Sequence, residues 1–228
     1  MTQGKVYPTA LKAVEDVFDG AVVMLGGFGG PGLPQSLVKA LIEQGARDLT
    51  FICNTCFEPK PDEHDVARLV DHGQVRKLIT TFIGRPNQEM PALDLWRRGK
   101  IEIEVVPQGI LAERMRAAAT GLGGIFIPNG VGTVFEDGQE KRTFDGQEYI
   151  LATPLKADFA LIGAHQADPL GNLTYRLTQR NYNPTMAAAA DVTIAEVREL
   201  VETGQIDPER VVTPGIYVDR LVVAERGI

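Results

Sequence analysis

The apolar positions of this 228-residue chain fall in short continuous runs that alternate with longer stretches of helical spacing. Residues 21–25 (AVVML) are all apolar and are followed at once by glycines, the pattern of a strand buried on both faces. In 33–49 (LPQSLVKALIEQGARDL), Leu37, Val38, Leu41 and Ile42 fall on one helical face, with Pro34 near the start and Gly45 just past the end. Residues 49–53 (LTFIC) predict a second apolar strand, and the three segments together make the strand–helix–strand unit of a parallel sheet. Further strands are expected at 75–84 (VRKLITTFIG) and 101–106 (IEIEVV), with a helix over Gln88–Arg98 between them and another over 110–121 that stops at Gly121. Two Asp-Gly pairs within 133–151 predict tight hairpin turns. The run 158–164 (DFALIGA) reads as a buried strand and ADPLGN as a turn. NPTMAAAADVTIAEV reads as a helix leading into a strand, and 215–224 (GIYVDRLVVA) as a closing strand.

This alternation predicts an α/β fold: an open, mostly parallel sheet with helices on both faces, plus an antiparallel hairpin excursion. No break in composition suggests a linker, so residues 1–228 are expected to form one domain. At 44% hydrophobic residues the chain has material for a sizeable core, while a net charge of −7 argues against a nucleic-acid partner. The first twenty residues lack an apolar run of signal-peptide type, and no later segment approaches a membrane span. Two cysteines make no disulfide framework. A cytoplasmic protein with no membrane association is the expectation.

The candidate chemistry starts at Leu25–Pro34 (LGGFGGPGLP), where Gly27, Gly29 and Gly32 match the G-x-G-x-x-G pattern of dinucleotide loops. In that fold the second strand ends in an acid that holds the ribose hydroxyls. Here it ends in Cys53-Asn54-Thr55, with Glu58 the first acid, and Pro31 and Pro34 stiffen the loop. An NAD-dependent oxidoreductase therefore stands as an alternative reading. Five glycines within 26–32 cost conformational entropy unless the backbone must approach something closely, which argues against a mere packing turn. Cys53 and Cys56 form a C-x-x-C pair, but His64 and His72 are too widely spaced for a zinc site, so two small strand-end residues are expected and no metal. His165, after an apolar strand, is expected to be a hydrogen-bonded structural residue. Gln108-Gly109 sits between a strand and a helix, where an open sheet lines its ligand crevice. An amide there suits a carboxylate or carbonyl, and a capping turn is an equal reading. Arg176 and Arg180 make either a small anion patch or a solvated face.

The longer frame 19–34 (DGAVVMLGGFGGPGLP) resembles the signature of the family I CoA-transferase A (alpha) subunits: Asp-Gly, two free positions, three apolar residues, Gly-Gly-Phe, three free positions, Gly-x-Pro. The runs GARDLT, GKIEIEVVPQGILAERMRA, GVGT, ADFALIGAHQADPLGNLTYR, RNYNP and VVTPGIYVDRLV extend the likeness along nearly the whole chain. It is similar above all to the acetate/acetoacetate (3-oxoacid) enzymes, with the 3-oxoadipate enzymes as the alternative. The resemblance implies a NagB/RpiA-type scaffold and a partner B (beta) subunit, in an α2β2 heterotetramer. It implies ping-pong transfer of CoA between an acyl-CoA and a small carboxylate, with CoA a substrate and no cofactor tightly bound. The nucleophilic glutamate of that family lies in a Ser-Glu-Asn-Gly-type motif of the B subunit, and this chain has no Glu-Asn pair. The same resemblance makes Asn54 the oxyanion donor and Gln108 the substrate contact. Gly26, Gly27, Phe28, Gly29, Gly30, Pro31 and Gly32 become the loop against CoA and the acyl group. The chain departs from the family in reading Asn54-Thr-Cys-Phe rather than Asn-Asn-Ala-Gly, and PNGVGT rather than PTGYGT.

Overall fold

The computed structural model describes residues 4–57, 63–84 and 90–225. In chain order the elements are α1 (Ala10–Ala13), β1 (Val22–Leu25), α2 (Gln35–Gln44), β2 (Leu49–Cys56), α3 (Val66–Asp71), β3 (Val75–Ile83), α4 (Pro91–Arg97), β4 (Glu102–Val105) and α5 (Gln108–Ala119). They continue with β5 (Ile125–Ile127), β6 (Lys141–Phe144), β7 (Gln147–Ala152), β8 (Ala157–Ala167), β9 (Leu173–Thr174), α6 (Asn183–Ala188), β10 (Ala190–Leu200) and β11 (Arg220–Val223).

The main sheet has the order β11-β10-β8-β1-β2-β3-β4, and every neighbouring pair in that row is parallel. Strands β1 to β4 build out one way and β8, β10 and β11 the other, so the order reverses between β1 and β8. In an open α/β sheet the carboxyl ends at such a reversal form a crevice, and ligands bind there. The glycine loop leaves β1 at that point.

Alternate side chains of each central strand serve opposite faces. Val23, Leu25, Phe51, Cys53, Phe159 and Leu161 pack with α1 to α4, whereas Met24, Ile52, Ala160 and Ile162 pack with α5 and α6. The continuous apolar runs of the sequence follow from this double burial. Each fully buried Leu, Ile or Phe contributes about 1.5–3 kcal/mol relative to exposure.

The helices stop where the sequence predicts. Gly45 ends α2 in the left-handed conformation with its N–H on the Leu41 carbonyl. Helix α5 begins at Gln108, two residues earlier than its apolar spacing shows, because Pro107 caps it. Helix α4 covers Pro91–Arg97 of the expected Gln88–Arg98 span, and Gln88 lies outside the described residues.

Three expectations need correction. Strand β2 runs on through Asn54 to Cys56 instead of stopping at Cys53, because β3 continues to pair with it after β1 has ended. Of the two Asp-Gly pairs, only Asp145-Gly146 closes a hairpin, between β6 and β7, with both residues at positive φ. Asp137 has φ −61° and ψ 121° before Gly138 at φ 76°, so that pair makes a type II turn after a short 3-10 segment. The closing strand is also shorter than expected: residues 215–217 form a 3-10 turn and pairing starts at Arg220. Among the described residues no helix is long and apolar enough to cross a membrane.

Candidate functional site

The glycine loop, Gly26 to Gly32, lies over the carboxyl ends of β1 and β8, and its glycines serve two different ends. A Cβ on Gly26 would meet Asn183 Oδ1 at 1.8 Å, and one on Gly32 would meet Asn183 Nδ2 at 2.6 Å. A Cβ on Gly27 would press on Leu33 at 2.8 Å. These three positions are required by packing within the chain. Gly29 (φ 61°) and Gly30 (φ 129°) hold left-handed or extended-positive backbone, and a Cβ there meets at most Glu63 at 3.6 Å. Bare backbone is therefore presented to the crevice at Gly29 and Gly30. This narrows the expectation that the whole loop is open to a ligand.

Asn183, fully buried at the start of α6, fastens the loop from below. Its Nδ2 donates to the Gly32 carbonyl (3.2 Å) and the Gln179 carbonyl (2.8 Å), and its Oδ1 accepts from Gly163 N–H (3.1 Å). Gly163, within β8, leaves room for this: a Cβ there would sit 2.5 Å from the Gly32 carbonyl. Asn181 Nδ2 donates to the Pro31 carbonyl at 2.9 Å. With the loop held this way, the N–H groups of Gly27, Gly29, Gly30 and Gly32 donate to no acceptor among the described residues. A turn that leaves successive N–H groups unspent is a ready anion cradle.

Asn54 is 2% exposed in β2, beside this loop. Its carbonyl accepts from Thr80 Oγ1 (3.0 Å) and Thr81 Oγ1 (2.8 Å). Its side-chain Oδ1 accepts from Gln108 Nε2 (3.0 Å) and lies 3.2 Å from Thr81 Oγ1. The Nδ2 edge of the amide donates to no group among the described residues. Asn54 shares a hollow with Gly26, Gly29, Gly30, Glu63 and Asp65. Gln108 opens on the adjoining hollow, lined by Phe28, Gly109, Ala112, Asn181 and Tyr182. Phe28 stacks on Tyr182 at 6.5 Å between centroids. Burial pushes the Tyr182 phenol above its usual range, and a hydrogen bond with Gln108 partly offsets this.

The sequence-based candidates thus meet: Asn54 and Gln108 are bonded to each other, and the loop lies alongside. Of the other candidates, Cys53 lines the same hollow as Asn54, whereas Cys56, His165, Arg176 and Arg180 line neither hollow. Cys53 and Cys56 are both buried within β2, and burial pushes the Cys53 thiol up to about 12 and the Cys56 thiol well above its usual value. His165 departs from its expectation, since its Nδ1 is buried without a hydrogen-bond partner among the described residues. Arg176 and Arg180 are exposed and form no ion pair among the described residues. Sequence reasoning missed Thr81, Asn181, Tyr182 and Asn183. The last three sit in RNYNP, whose two asparagines flanking a tyrosine were the available signal.

Chemically the arrangement sets amide and backbone donors in a hollow that Glu63 and Asp65 also line. The amide of Asn54 and the loop N–H groups suit negative charge developing on a carbonyl oxygen, and the Phe28–Tyr182 hollow suits a short apolar chain.

A profile described as coenzyme A transferase matches residues 7–224. The A (alpha) subunit of the 3-oxoadipate CoA-transferase of Pseudomonas putida is 49% identical over 218 residues, covering 96% of this chain and 93% of its own length. The alpha subunit of the acetate CoA-transferase of Escherichia coli K12 is 47% identical over 208 residues, 91% of each chain. An acyl-CoA transferase of Escherichia coli O157:H7, solved as a thioester complex with CoA, superposes with a TM-score of 0.83 at 25% identity. That match covers 98% of this chain, which spans about half (48%) of the other.

Proposed function

Because the chain belongs to the coenzyme A transferase family, as an A (alpha) subunit, we propose that it forms one wall of a two-chain active site moving CoA between an acyl-CoA and a short 3-oxo acid. The observation that carries this reading is that Asn54, Gly27, Gly29 and Gly30 line one crevice at the sheet's reversal point, with an Nδ2 edge and N–H groups that donate to no acceptor among the described residues. The partner is a B-type chain that supplies the nucleophilic carboxylate, in an α2β2 assembly. The names of the relatives, each the A or alpha subunit of its enzyme, support a separate partner.

The reaction proceeds by a ping-pong route. The partner's carboxylate attacks the acyl-CoA carbonyl and expels CoA thiolate, leaving a mixed anhydride. The thiolate then attacks the glutamyl carbonyl of that anhydride, releasing the first acid and forming an enzyme–CoA thioester. A second acid reverses the two steps and leaves as the new acyl-CoA. Every step passes through a tetrahedral oxyanion, and one preorganised donor is typically worth about 3–4 kcal/mol there. Asn54 and the loop supply such donors. Gln108 holds Asn54 on one side and faces the acyl hollow on the other. The thioester described for the Escherichia coli O157:H7 enzyme supports this sequence of steps.

The acid tested first is 3-oxoadipate, since two of the relatives carry that name. The purified chain is expected to transfer no CoA alone and to become active when co-expressed with a B-type chain, with 3-oxoadipate preferred to acetate. Transfer at full rate by the single chain would place the nucleophile here and overturn the reading. In the assembled enzyme Asn54→Ala lowers kcat by about 100-fold.

A further inference from the structure

The Asn54 amide has two edges, and the described residues grip only one of them. Oδ1 takes the Gln108 Nε2 proton at 3.0 Å and has Thr81 Oγ1 at 3.2 Å. The backbone carbonyl of Asn54 has Thr80 Oγ1 at 3.0 Å and Thr81 Oγ1 at 2.8 Å, so it keeps a donor when Thr81 turns away. Thr81 has one hydroxyl proton, within reach of both that carbonyl and Oδ1, and because Thr80 also serves the carbonyl, giving the proton to Oδ1 leaves neither oxygen unpaired. Gln108 lines one hollow with Tyr182, and Tyr182 stacks on Phe28 of the glycine loop. The chain of contacts therefore runs from the loop, through α5, to the ends of β2 and β3. An amide can turn end for end, and only its partners decide which edge faces a ligand. With two donors on Oδ1, the turned state would set N–H groups against N–H and O–H donors, and the NH2 edge is left to the crevice.

We propose that Thr81 is a positioning residue: together with Gln108 it pins Oδ1 of Asn54 so that Nδ2 is presented beside the glycine loop. Thr81 itself need not touch the substrate. This rests on the reading of Asn54 as an oxyanion donor, and it adds that the donor's orientation is set from β3. Loss of the Thr81 hydroxyl lets the amide populate its turned state and points a lone pair at the oxyanion. The effect falls on the transition state, where the donor acts, and little on ground-state binding.

The test compares Thr81→Val, Thr81→Ser, Asn54→Ala and the Thr81→Val/Asn54→Ala double variant in the assembled two-chain enzyme. Readouts are kcat, KM and the midpoint of urea unfolding. Thr81→Val is expected to lower kcat about 10-fold at nearly unchanged KM. Thr81→Ser, which keeps the hydroxyl, restores most of the rate. In the Asn54→Ala background Thr81→Val has no further effect, because there is no amide left to orient. Wild-type turnover in Thr81→Val beside an impaired Asn54→Ala would overturn the proposal and leave Asn54's role standing. Additive losses in the double variant would overturn it equally, as would a Thr81→Ser variant as slow as Thr81→Val. Full activity in Asn54→Ala would instead remove the underlying reading.

Discussion

At the scale of single residues, the glycine loop separates two demands that look identical in sequence. Gly26 has an ordinary φ but no room, since its Cβ would overlap Asn183 Oδ1. Gly29 has room on every side but a φ of 61°. Gly26→Ala must displace Asn183 and break its bonds to Gly32 and Gly163, so a loss of about 3 kcal/mol is expected. Gly29→Ala keeps all contacts and carries only the left-handed penalty of about 1 kcal/mol. Urea unfolding of the two variants measures the difference, and equal losses would refute it. The asparagines divide in the same way. Asn54 was legible because it follows the apolar run of its strand, where another fold keeps an acid. Asn183 was not, because its role depends on a Gly32 carbonyl 151 residues away, which no local pattern encodes.

At the scale of elements, strands and their order of burial were readable from apolar runs, since double-sided burial leaves no polar alternation to misread. Strand ends were less so. Strand β2 outlasts its apolar run because β3 goes on pairing with it, and polar residues such as Asn54 and Thr81 then lie inside strands. The start of α2 shows another such dependence. Glu196 of β10, 8% exposed, accepts the Leu37 N–H at 3.0 Å and interacts with Ser36. Burial raises its carboxyl to about 7, against the pull of the backbone N–H groups of Leu37 and Ser36 and the Ser36 hydroxyl. A carboxyl raised on folding binds more protons in the native state than in the unfolded one. Its contribution is thus full below about pH 4.5 and is lost as pH climbs through about 7. Glu196→Gln imitates the protonated form, so its stability should stay level across that window while the parent's falls by on the order of 2 kcal/mol. Parallel pH profiles for the two proteins would show that Glu196 does not titrate there.

At the scale of the whole molecule, the two margins of the main sheet are finished by different means. Beside β11 the backbone of residues 5–7 adds a short parallel bridge, with Tyr7 N–H on the Leu221 carbonyl (2.8 Å) and Leu221 N–H on the Lys5 carbonyl (2.7 Å). Strand β4 has no second neighbour among the described residues, and it carries charge instead. Glu104 pairs with Lys77 (2.9 Å) and Arg114 (3.2 Å), and Glu102 lies 3.8 Å from Arg76. Burial raises the Glu104 carboxyl, but Lys77 and Arg114 more than reverse this and hold it below the usual range. Charged side chains on an open margin discourage pairing with a second sheet. Glu102→Val/Glu104→Val should therefore aggregate at concentrations where the parent stays dispersed, as light scattering would record. Unchanged scattering would show that the margin is guarded otherwise.

The fastening of the glycine loop by Asn183 also fixes an order of events. Strands β1 to β4 are neighbours in sequence as well as in space, and their crossovers close over short distances. The support of the loop arrives only with β8 and α6, from the far half of the chain. Contacts of such separation form late, after the entropy of closing the intervening chain has been met. A nascent or truncated chain ending before residue 157 already holds Asn54, Gln108 and every glycine of the loop, yet nothing lies beneath that loop. A chain ending there is therefore expected to leave the glycine loop unfastened, and a B-type partner would find only half of the wall it needs.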